Sequence, residues 1–192
     1  MKNLVIFASG AGTNAKNIID YFKNSSSARV ALIVCNNPAA GVLQIAAREN
    51  IASLLINRHS FYHTEEIYNI LKDIPPDLIV LAGFLWKVPQ NLVNAFPNQI
   101  INIHPALLPK YGGKGMYGAY VHEAIIAAGE KESGITIHYV NEKYDEGEMI
   151  LQKKCSVAAD DTPESLAQKV HQLEYRWYPE TIEKILDEEK GL

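Results

Sequence analysis

Five short apolar runs alternate with amphipathic segments over the first hundred residues. The runs are continuous, which is typical of strands covered on both faces; they are Leu4–Ala8, Val30–Val34, Ser53–Ile56, Leu78–Ala82 and Ile100–Ile103. The segments between them carry apolar residues at three-to-four spacing, as helices on a core do; they are Asn14–Phe22, Gly41–Glu49, Thr64–Lys72 and Pro89–Ala95. This alternation predicts a doubly wound, mostly parallel α/β sheet with right-handed crossovers, a Rossmann-like fold.

The pattern changes after Pro105. A glycine-rich stretch, Gly112 to Gly118, precedes a helical segment near Tyr120–Ala128. Two apolar stretches follow, Gly134–Val140 and Met149–Val157, and their spacing suits antiparallel strands added to the edge of the sheet. The C-terminal half is therefore predicted to extend the parallel sheet with antiparallel strands.

A long helix is predicted at the C-terminus. Thr162 is a suitable N-cap, and Pro163 suits the first helical position, where no backbone N–H is needed. Pro179 lies further along and is expected to kink or end this helix. Because the chain contains no repeat, low-complexity tract or linker, residues 1–192 are predicted to form a single domain.

The composition of the chain limits the kinds of molecule that it is expected to bind. Charged residues make up 21% of the 192 residues and the net charge is -4, so no long-range attraction to nucleic acid or to an anionic membrane is expected. The N-terminal apolar run stops at Ser9-Gly10, too short for a signal peptide or a membrane span, which predicts a cytoplasmic protein. Cys35 and Cys155 lie far apart, without a His cluster at metal spacing, so neither a disulfide framework nor a metal site is expected.

Asn102 and His104 interrupt an apolar strand near its C-terminal end. They are two residues apart and therefore share one face, which at the carboxyl edge of a parallel sheet opens onto the ligand crevice. His104 alone could equally be a buried histidine bonded to backbone. Two neighbouring polar groups cost about 1–3 kcal/mol each if unpaired, so a ligand carbonyl is the simplest partner. An amide donor beside a protonatable imidazole suits an acyl-transfer site, where a carbonyl oxygen becomes an oxyanion.

A glycine-containing loop, Ser9 to Asn14, lies between the first predicted strand and helix. Backbone N–H groups and the helix dipole at such a turn favour phosphate or another anion. The spacing matches neither the dinucleotide fingerprint nor a Walker loop. The alternative is a tight turn in which Thr13 or Asn14 caps the helix.

The acidic loop from Asn141 to Glu148 is the third candidate region. A carboxylate beside His104 would raise the pKa of the imidazole and hold it cationic, and could move a proton through water. The loop offers four such residues, which spacing alone does not separate: Glu142, Asp145, Glu146 and Glu148. Without the histidine, the same loop would be a solvated turn between two strands.

Together these stretches resemble the phosphoribosylglycinamide formyltransferase family, folate-dependent enzymes of purine biosynthesis. The shared motifs follow in the family's order: Ser-Gly-x-Gly-Thr-Asn at 9–14, Leu-Ala-Gly-Phe at 81–84, Asn-Ile-His-Pro-Ala-Leu-Leu-Pro-Lys-Tyr at 102–111, Gly-Ile-Thr-Ile-His at 134–138 and the Asp145 loop. The block after Asn102 is also found in methionyl-tRNA formyltransferase and formyltetrahydrofolate deformylase, whereas the N-terminal loop discriminates between them. No regulatory domain is expected before the first strand and no barrel after the last helix.

The resemblance implies a reaction and its ligands. It implies formyl transfer from 10-formyltetrahydrofolate to the amine of glycinamide ribonucleotide, with Asn102, His104 and Asp145 as the catalytic residues and without a metal. The ribonucleotide is implied to contact Gly12, Thr13, Asn14, His171 and Glu174. The folate is implied to contact Leu85, Trp86, Lys87, Val88, Asn102, Asn141, Tyr144 and Asp145. Trp86 could equally pack in the core.

The chain departs from the family in two segments. The stretch Gly112 to Gly118 differs from the shorter form in some relatives. Relatives often carry an arginine before the third predicted helix that meets the folate glutamate tail, and residues 62–66 contain none, which leaves Arg58 or Lys87 as substitutes. The partners are expected to be two small molecules, with no nucleic acid or membrane, for a monomer or homodimer. The alternative functions are a formyltetrahydrofolate deformylase and a non-catalytic folate- or nucleotide-binding module.

Overall fold

In the part of the chain that the structure describes, seven strands form one sheet in the order β3-β2-β1-β4-β5-β6-β7. The computed structural model describes residues 1–188, so the last four residues of the predicted domain lie outside the described residues. The strands are β1 (Lys2–Ala8), β2 (Ala28–Cys35), β3 (Ala52–Leu55), β4 (Leu78–Leu81), β5 (Ile100–His104), β6 (Glu132–Tyr139) and β7 (Met149–Ser156). Strands β1 to β5 are parallel, whereas β6 and β7 are antiparallel additions beside β5. The predicted fold class is confirmed.

Helices cover both faces of this sheet. They are α1 (Thr13–Phe22), α2 (Gly41–Arg48), α3 (Arg58–Tyr62), α4 (Glu66–Asp73), α5 (Gln90–Ala95), α6 (Ala119–Ala127) and α7 (Pro163–Glu188). Residues alternate along β1, so Leu4 and Ile6 belong to the core under α1, α2, α6 and α7, while Val5 and Phe7 belong to the core under α3, α4 and α5. Continuous apolar strands follow from this two-sided burial.

The short helix α3 is absent from the sequence prediction, which places a single helix at 64–72. Helix α3 begins at a capping box, in which Asn57 Oδ1 accepts from Ser60 N at 3.0 Å and Ser60 Oγ accepts from Asn57 N at 3.1 Å. This five-residue helix is too short to show a periodic apolar pattern. Its Phe61 is buried in the core beside Phe7.

The last helix begins as predicted but does not end at Pro179. Thr162 Oγ1 accepts from Ser165 N at 3.2 Å, which confirms Thr162 as the N-cap. Helix α7 continues through Pro179 to Glu188. A proline removes the N–H that would bond the carbonyl four residues earlier, here that of Tyr175. That carbonyl instead accepts from Asn17 Nδ2 of α1 at 2.6 Å, so the missing helix bond is replaced.

The strand order reverses between β1 and β4, because β2 lies on one side of β1 and β4 on the other. Such a switch point opens a crevice at the carboxyl ends of the strands, where α/β proteins bind ligands. Tyr178 of α7 is fully buried behind it and donates to Leu81 O at 2.9 Å and to Ile101 O at 3.4 Å. The ends of β4 and β5 are thus held together under the crevice.

Two further features are the hydrophobicity of the helices and the state of the two cysteines. Among residues 1–188, no helix combines the length and apolarity needed to cross a bilayer. Cys35 and Cys155 are both free thiols, and Cys35 is buried. Burial raises the pKa of the Cys155 thiol, which disfavours its reactive thiolate.

Candidate active site

A cleft of about 840 Å³ opens at the switch point. Every site residue expected from the sequence lines it: Gly12, Thr13, Asn14, Leu85, Trp86, Lys87, Val88, Asn102, His104, Asn141, Tyr144, Asp145, His171 and Glu174. These residues come from the carboxyl end of β5, from the segments that follow β1, β4 and β6, and from α7. The topology therefore gathers into one cleft residues that are distant in sequence, such as Asn14 and Glu174, which are 160 positions apart.

Asp145 lies between two imidazoles. Its Oδ2 is 3.6 Å from His104 Nδ1 and its Oδ1 is 3.6 Å from His138 Nε2. Asn102 is beside them, with Nδ2 at 3.2 Å from His138 Nε2 and 3.4 Å from Asp145 Oδ1. This arrangement follows from strand register, because Asn102 of β5 pairs with His138 of β6, and the loop after β6 returns Asp145 to the same edge.

The hydrogen bonds of both histidines define which nitrogen is free. His104 Nε2 lies 2.7 Å from Tyr111 O, and His138 Nδ1 lies 2.9 Å from Tyr139 O. Carbonyl oxygens only accept, so these two nitrogens carry the protons. His104 Nδ1 is then the nitrogen that faces Asp145, and His138 Nε2 accepts from Asn102. His104 is 3% exposed, so its environment is fixed by these partners.

Burial lowers the pKa of His104, although Asp145 and the Tyr111 carbonyl act to raise it. The expectation that Asp145 holds this imidazole cationic is therefore wrong for the protein alone, since loss of hydration outweighs the carboxylate. Burial would also raise the pKa of Asp145, but the contact with His138, the charge of His104 and the Gly113 N–H together lower it. The carboxylate is ionised at neutral pH.

Asp145 is distinguished from its acidic neighbours by backbone geometry. Its φ of 54° turns the side chain inward in the left-handed region, and its Oδ2 accepts from Gly113 N at 2.9 Å. Glu146, the next residue, points to an exposed ion pair with Lys143 at 3.0 Å. Of the four acids that the sequence left open, Asp145 is the one that contacts the imidazoles.

The loop after β1 is built for close approach of a ligand. Gly12 is the N-cap of α1 with φ of 82°, and a Cβ there would lie 2.8 Å from Val42 Cβ, so glycine is required. Within residues 1–188 no side chain caps this helix, so the alternative in which Thr13 or Asn14 caps it is wrong. The first N–H groups of α1 are therefore available to an anion.

Next to this loop, Glu174 is a carboxylate only 4% exposed. Its Oε2 accepts from Asn14 Nδ2 and from His171 Nδ1, both at 2.9 Å. The hydrogen bond from His171 to Glu174 raises the pKa of His171. Three of the five residues that the resemblance implies at this end of the cleft thus form one hydrogen-bonded group.

The opposite end of the cleft is aromatic. Trp86 packs on Phe61 and Tyr62 at ring distances of 5.8 and 6.0 Å and also lines the cleft, so its core and ligand interpretations are compatible. The two substitute cations lie here as well. The Arg58 guanidinium is 5.1 Å from the Trp86 ring, and Lys87 Nζ is 5.5 Å from the Tyr144 ring.

Sequence reasoning missed three side chains that belong to the site. His138 was quoted within a motif but given no contact, although it interrupts the apolar strand β6 as Asn102 interrupts β5. Thr136 Oγ1 donates to Ala106 O at 2.7 Å and accepts from Leu108 N at 3.1 Å, which fixes the loop after His104. His122 of α6 lines the cleft in a buried position. It carried no sequence signal, because a single histidine on a helix face is uninformative.

A doubly wound sheet whose switch-point cleft combines an amide, an imidazole and a carboxylate offers the hydrogen-bond donors and the proton acceptor that acyl transfer uses. The chain belongs to the formyl transferase family, because residues 2–182 match the model of that family. This confirms the resemblance drawn from the motifs.

Several named relatives resemble the chain over most of its length. It is 39% identical to the chloroplastic phosphoribosylglycinamide formyltransferase of Arabidopsis thaliana, covering 97% of this chain and 66% of the relative. It is 36% identical to phosphoribosylglycinamide formyltransferase of Bacillus subtilis, covering 97% of this chain and 95% of the relative. The chain thus spans about two thirds of the plant relative and nearly all of the bacterial one.

Solved structures agree with this fold. Phosphoribosylglycinamide formyltransferase from Anaplasma phagocytophilum superposes with a TM-score of 0.88 at 32% identity, covering 97% of this chain and 87% of that one. The enzyme of that name from Bacillus halodurans superposes with a TM-score of 0.85 at 37% identity, covering 96% of this chain and 95% of that one.

Proposed function

We propose that the protein transfers the formyl group of 10-formyltetrahydrofolate to the amine of glycinamide ribonucleotide, in de novo purine biosynthesis. The products are formylglycinamide ribonucleotide and tetrahydrofolate. The observation that carries this proposal is the position of the Asn102–His104–Asp145 cluster between an anion-binding loop and an aromatic wall. One cleft thus offers a place for a phosphate, a reacting carbonyl and a flat heterocycle.

The ribonucleotide is proposed to lie toward α1 and α7. Its phosphate would accept from the backbone N–H groups at Gly12, Thr13 and Asn14, where the helix dipole favours negative charge. Its ribose or glycinamide end would face Glu174 and His171. The folate would lie against residues 85–88 and the loop at 141–145, with Asn102 between the two ligands.

Formyl transfer forms a bond from the amine nitrogen to the formyl carbon and breaks the bond from that carbon to the folate nitrogen. In the tetrahedral intermediate the formyl oxygen is negative, and Asn102 Nδ2 would donate to it in place of its long 3.4 Å bond to Asp145. Protonated His104 would stabilise the same oxygen. Burial keeps His104 neutral beforehand, so it would take a proton from solvent as negative charge develops on the formyl oxygen, and would return it when the intermediate collapses.

The attacking amine loses one proton and the departing folate nitrogen gains one. Asp145 is ionised and lies against the reacting cluster, so it suits a relay in which water carries the proton between the two nitrogens. It also favours the charged form of His104 at 3.6 Å. No step of this proposal requires a metal.

The test follows deformylated folate spectroscopically after the protein is mixed with 10-formyltetrahydrofolate, with and without glycinamide ribonucleotide. We expect release that depends on the ribonucleotide. The His104→Ala variant should reduce turnover by roughly 10²–10⁴. Release without the ribonucleotide would identify a deformylase, whereas binding of both ligands without release would identify a binding module.

Monomer or homodimer state and a cytoplasmic location remain predictions of the sequence. The glutamate tail of the folate is proposed to pass Arg58 or Lys87, because both cations lie beside the aromatic wall. An Arg58→Gln variant is expected to weaken the binding of polyglutamyl folate more than that of monoglutamyl folate.

A further inference from the structure

His122 is a buried polar side chain in which one ring nitrogen has no hydrogen-bond partner among the described residues. It lies on the buried face of α6 between Val121 and Ile125, and it is 3% exposed. Its Nδ1 is buried and has no hydrogen-bond partner within residues 1–188. A buried polar atom without a partner costs on the order of 1–3 kcal/mol, which an apolar residue at this position would avoid.

His122 is part of the wall of the active-site cleft. The imidazole lines the active-site cleft together with Asn14, His171 and Glu174. Burial lowers the pKa of His122, and His171 lowers it further, so the ring is neutral and offers one donor and one acceptor. Glu174 and His104 are also close enough to act on its charge. His122 therefore lines the same cleft as the Glu174 group and the catalytic imidazole, within electrostatic reach of both.

A second unpartnered atom lies in the same part of the cleft. Asn14 Oδ1 is likewise buried without a partner in the described part of the chain, while Asn14 Nδ2 donates to Glu174. The cleft here thus offers an amide oxygen, a carboxylate and an imidazole to one bound molecule. Such a set complements a polar group that carries hydrogen-bond donors, such as hydroxyl or amide groups.

We propose that His122 is a specificity residue for the formyl acceptor, hydrogen-bonded to the polar middle of that molecule between its phosphate and its amine. This inference rests on the proposed function, because it takes glycinamide ribonucleotide as the acceptor. The imidazole takes no part in bond making, so it affects the binding of the acceptor and leaves the binding of formyl-folate unchanged.

The experiment compares His122→Asn and His122→Phe with the wild-type protein. The phenylalanine ring keeps the volume but removes both nitrogens. We expect both variants to raise the KM for glycinamide ribonucleotide about tenfold, which corresponds to about 1.4 kcal/mol. The KM for 10-formyltetrahydrofolate should change less than about twofold and kcat less than about threefold. The Phe variant should melt at or above the wild-type temperature, since it removes an unpaired polar group.

The matched control is His59→Asn. His59 is exposed on α3 and does not line the cleft, so its kinetic constants should equal those of the wild type. An unchanged KM for the ribonucleotide in folded His122 variants would overturn the inference while leaving the proposed function intact. Equal increases in both KM values with a lowered melting temperature would also overturn it, because they indicate a structural role. A wild-type protein that neither binds nor formylates the ribonucleotide would refute the proposed function itself.

Discussion

Replacing Asp145 by asparagine tests the electrostatic core of the site. The substitution keeps the shape of the side chain and an oxygen for the Gly113 N–H, but removes the negative charge. At the 3.6 Å separation from His104 Nδ1, Coulomb's law with an effective dielectric constant of about 20 gives on the order of 4–5 kcal/mol for carboxylate against imidazolium. Since about 1.4 kcal/mol corresponds to tenfold in rate, the upper limit of the loss is about three orders of magnitude.

We expect Asp145→Asn to lower kcat by about 10²–10³ and to change either KM less than tenfold, because the charge acts mainly on the transition state. The pH profile should move in a defined direction. Asp145 raises the pKa of His104 against the effect of burial, so its removal lowers that pKa further. The alkaline limb of the kcat profile, where His104 cannot be protonated, should therefore shift to lower pH.

The assay is the spectroscopic release of folate at saturating ribonucleotide between about pH 5 and 9, bracketing the usual pKa of histidine. Glu146→Gln is the matched control, because Glu146 is the adjacent carboxylate, is exposed and pairs with Lys143. It should retain wild-type kcat within about twofold, as expected for an exposed ion pair. The reasoning would be refuted if folded Asp145→Asn kept kcat within about threefold of the wild type and its alkaline limb did not move.

Three further predictions concern the frame of the site. Gly12 has a φ of 82°, so Gly12→Ala should destabilise the fold by about 1–3 kcal/mol and raise the KM for the ribonucleotide. Gly10 has open space around it, so Gly10→Ala should have neither effect. Equal effects of the two substitutions would contradict this prediction. Tyr178→Phe removes the hydroxyl that donates to the carbonyls of Leu81 and Ile101, and should lower the free energy of unfolding in urea by about 1–3 kcal/mol. An unchanged unfolding midpoint would count against those two hydrogen bonds. Glu174 raises the pKa of His171, so His171 stabilises the fold below its unfolded pKa of 6.5 and loses this contribution as pH rises through the higher folded value. The melting-temperature difference between wild type and His171→Asn should shrink from pH 6 to pH 9, and a constant difference would argue against the pair.

The parallel part of the fold follows from local pattern, because strands buried on both faces are apolar along their whole length. The start of α7 was equally predictable, since the Thr162 cap and Pro163 are local signals. Helix α3 and the continuation of α7 through Pro179 were not, because each depends on a contact from elsewhere. Phe61 of α3 gains its burial from β1, and the Tyr175 carbonyl gains its partner from α1.

The candidate site also has residues that the local sequence predicts and residues that depend on the folded structure. Asn102 and His104 could be predicted as site residues, because polar side chains are unexpected on a strand that is otherwise apolar and buried. The choice of Asp145 over three neighbouring acids depended on resemblance, because a left-handed φ at a non-glycine residue leaves no clear sequence signal. The lowered pKa of His104 could not be predicted either, since it reflects the number of atoms that surround the ring in three dimensions.

The proline in α7 connects an irregularity of that helix with the position of Glu174 in the cleft. By freeing the Tyr175 carbonyl, Pro179 creates an acceptor that Asn17 occupies, and one turn earlier on α1 Asn14 bonds to Glu174, the residue before Tyr175. Two cross-links one helical turn apart fix the axial register of α1 against α7, which a single bond would leave free to pivot. A residue that is normally a helix breaker thus contributes to alignment, and the buried carboxylate of Glu174 keeps a fixed height relative to the glycine loop at the start of α1.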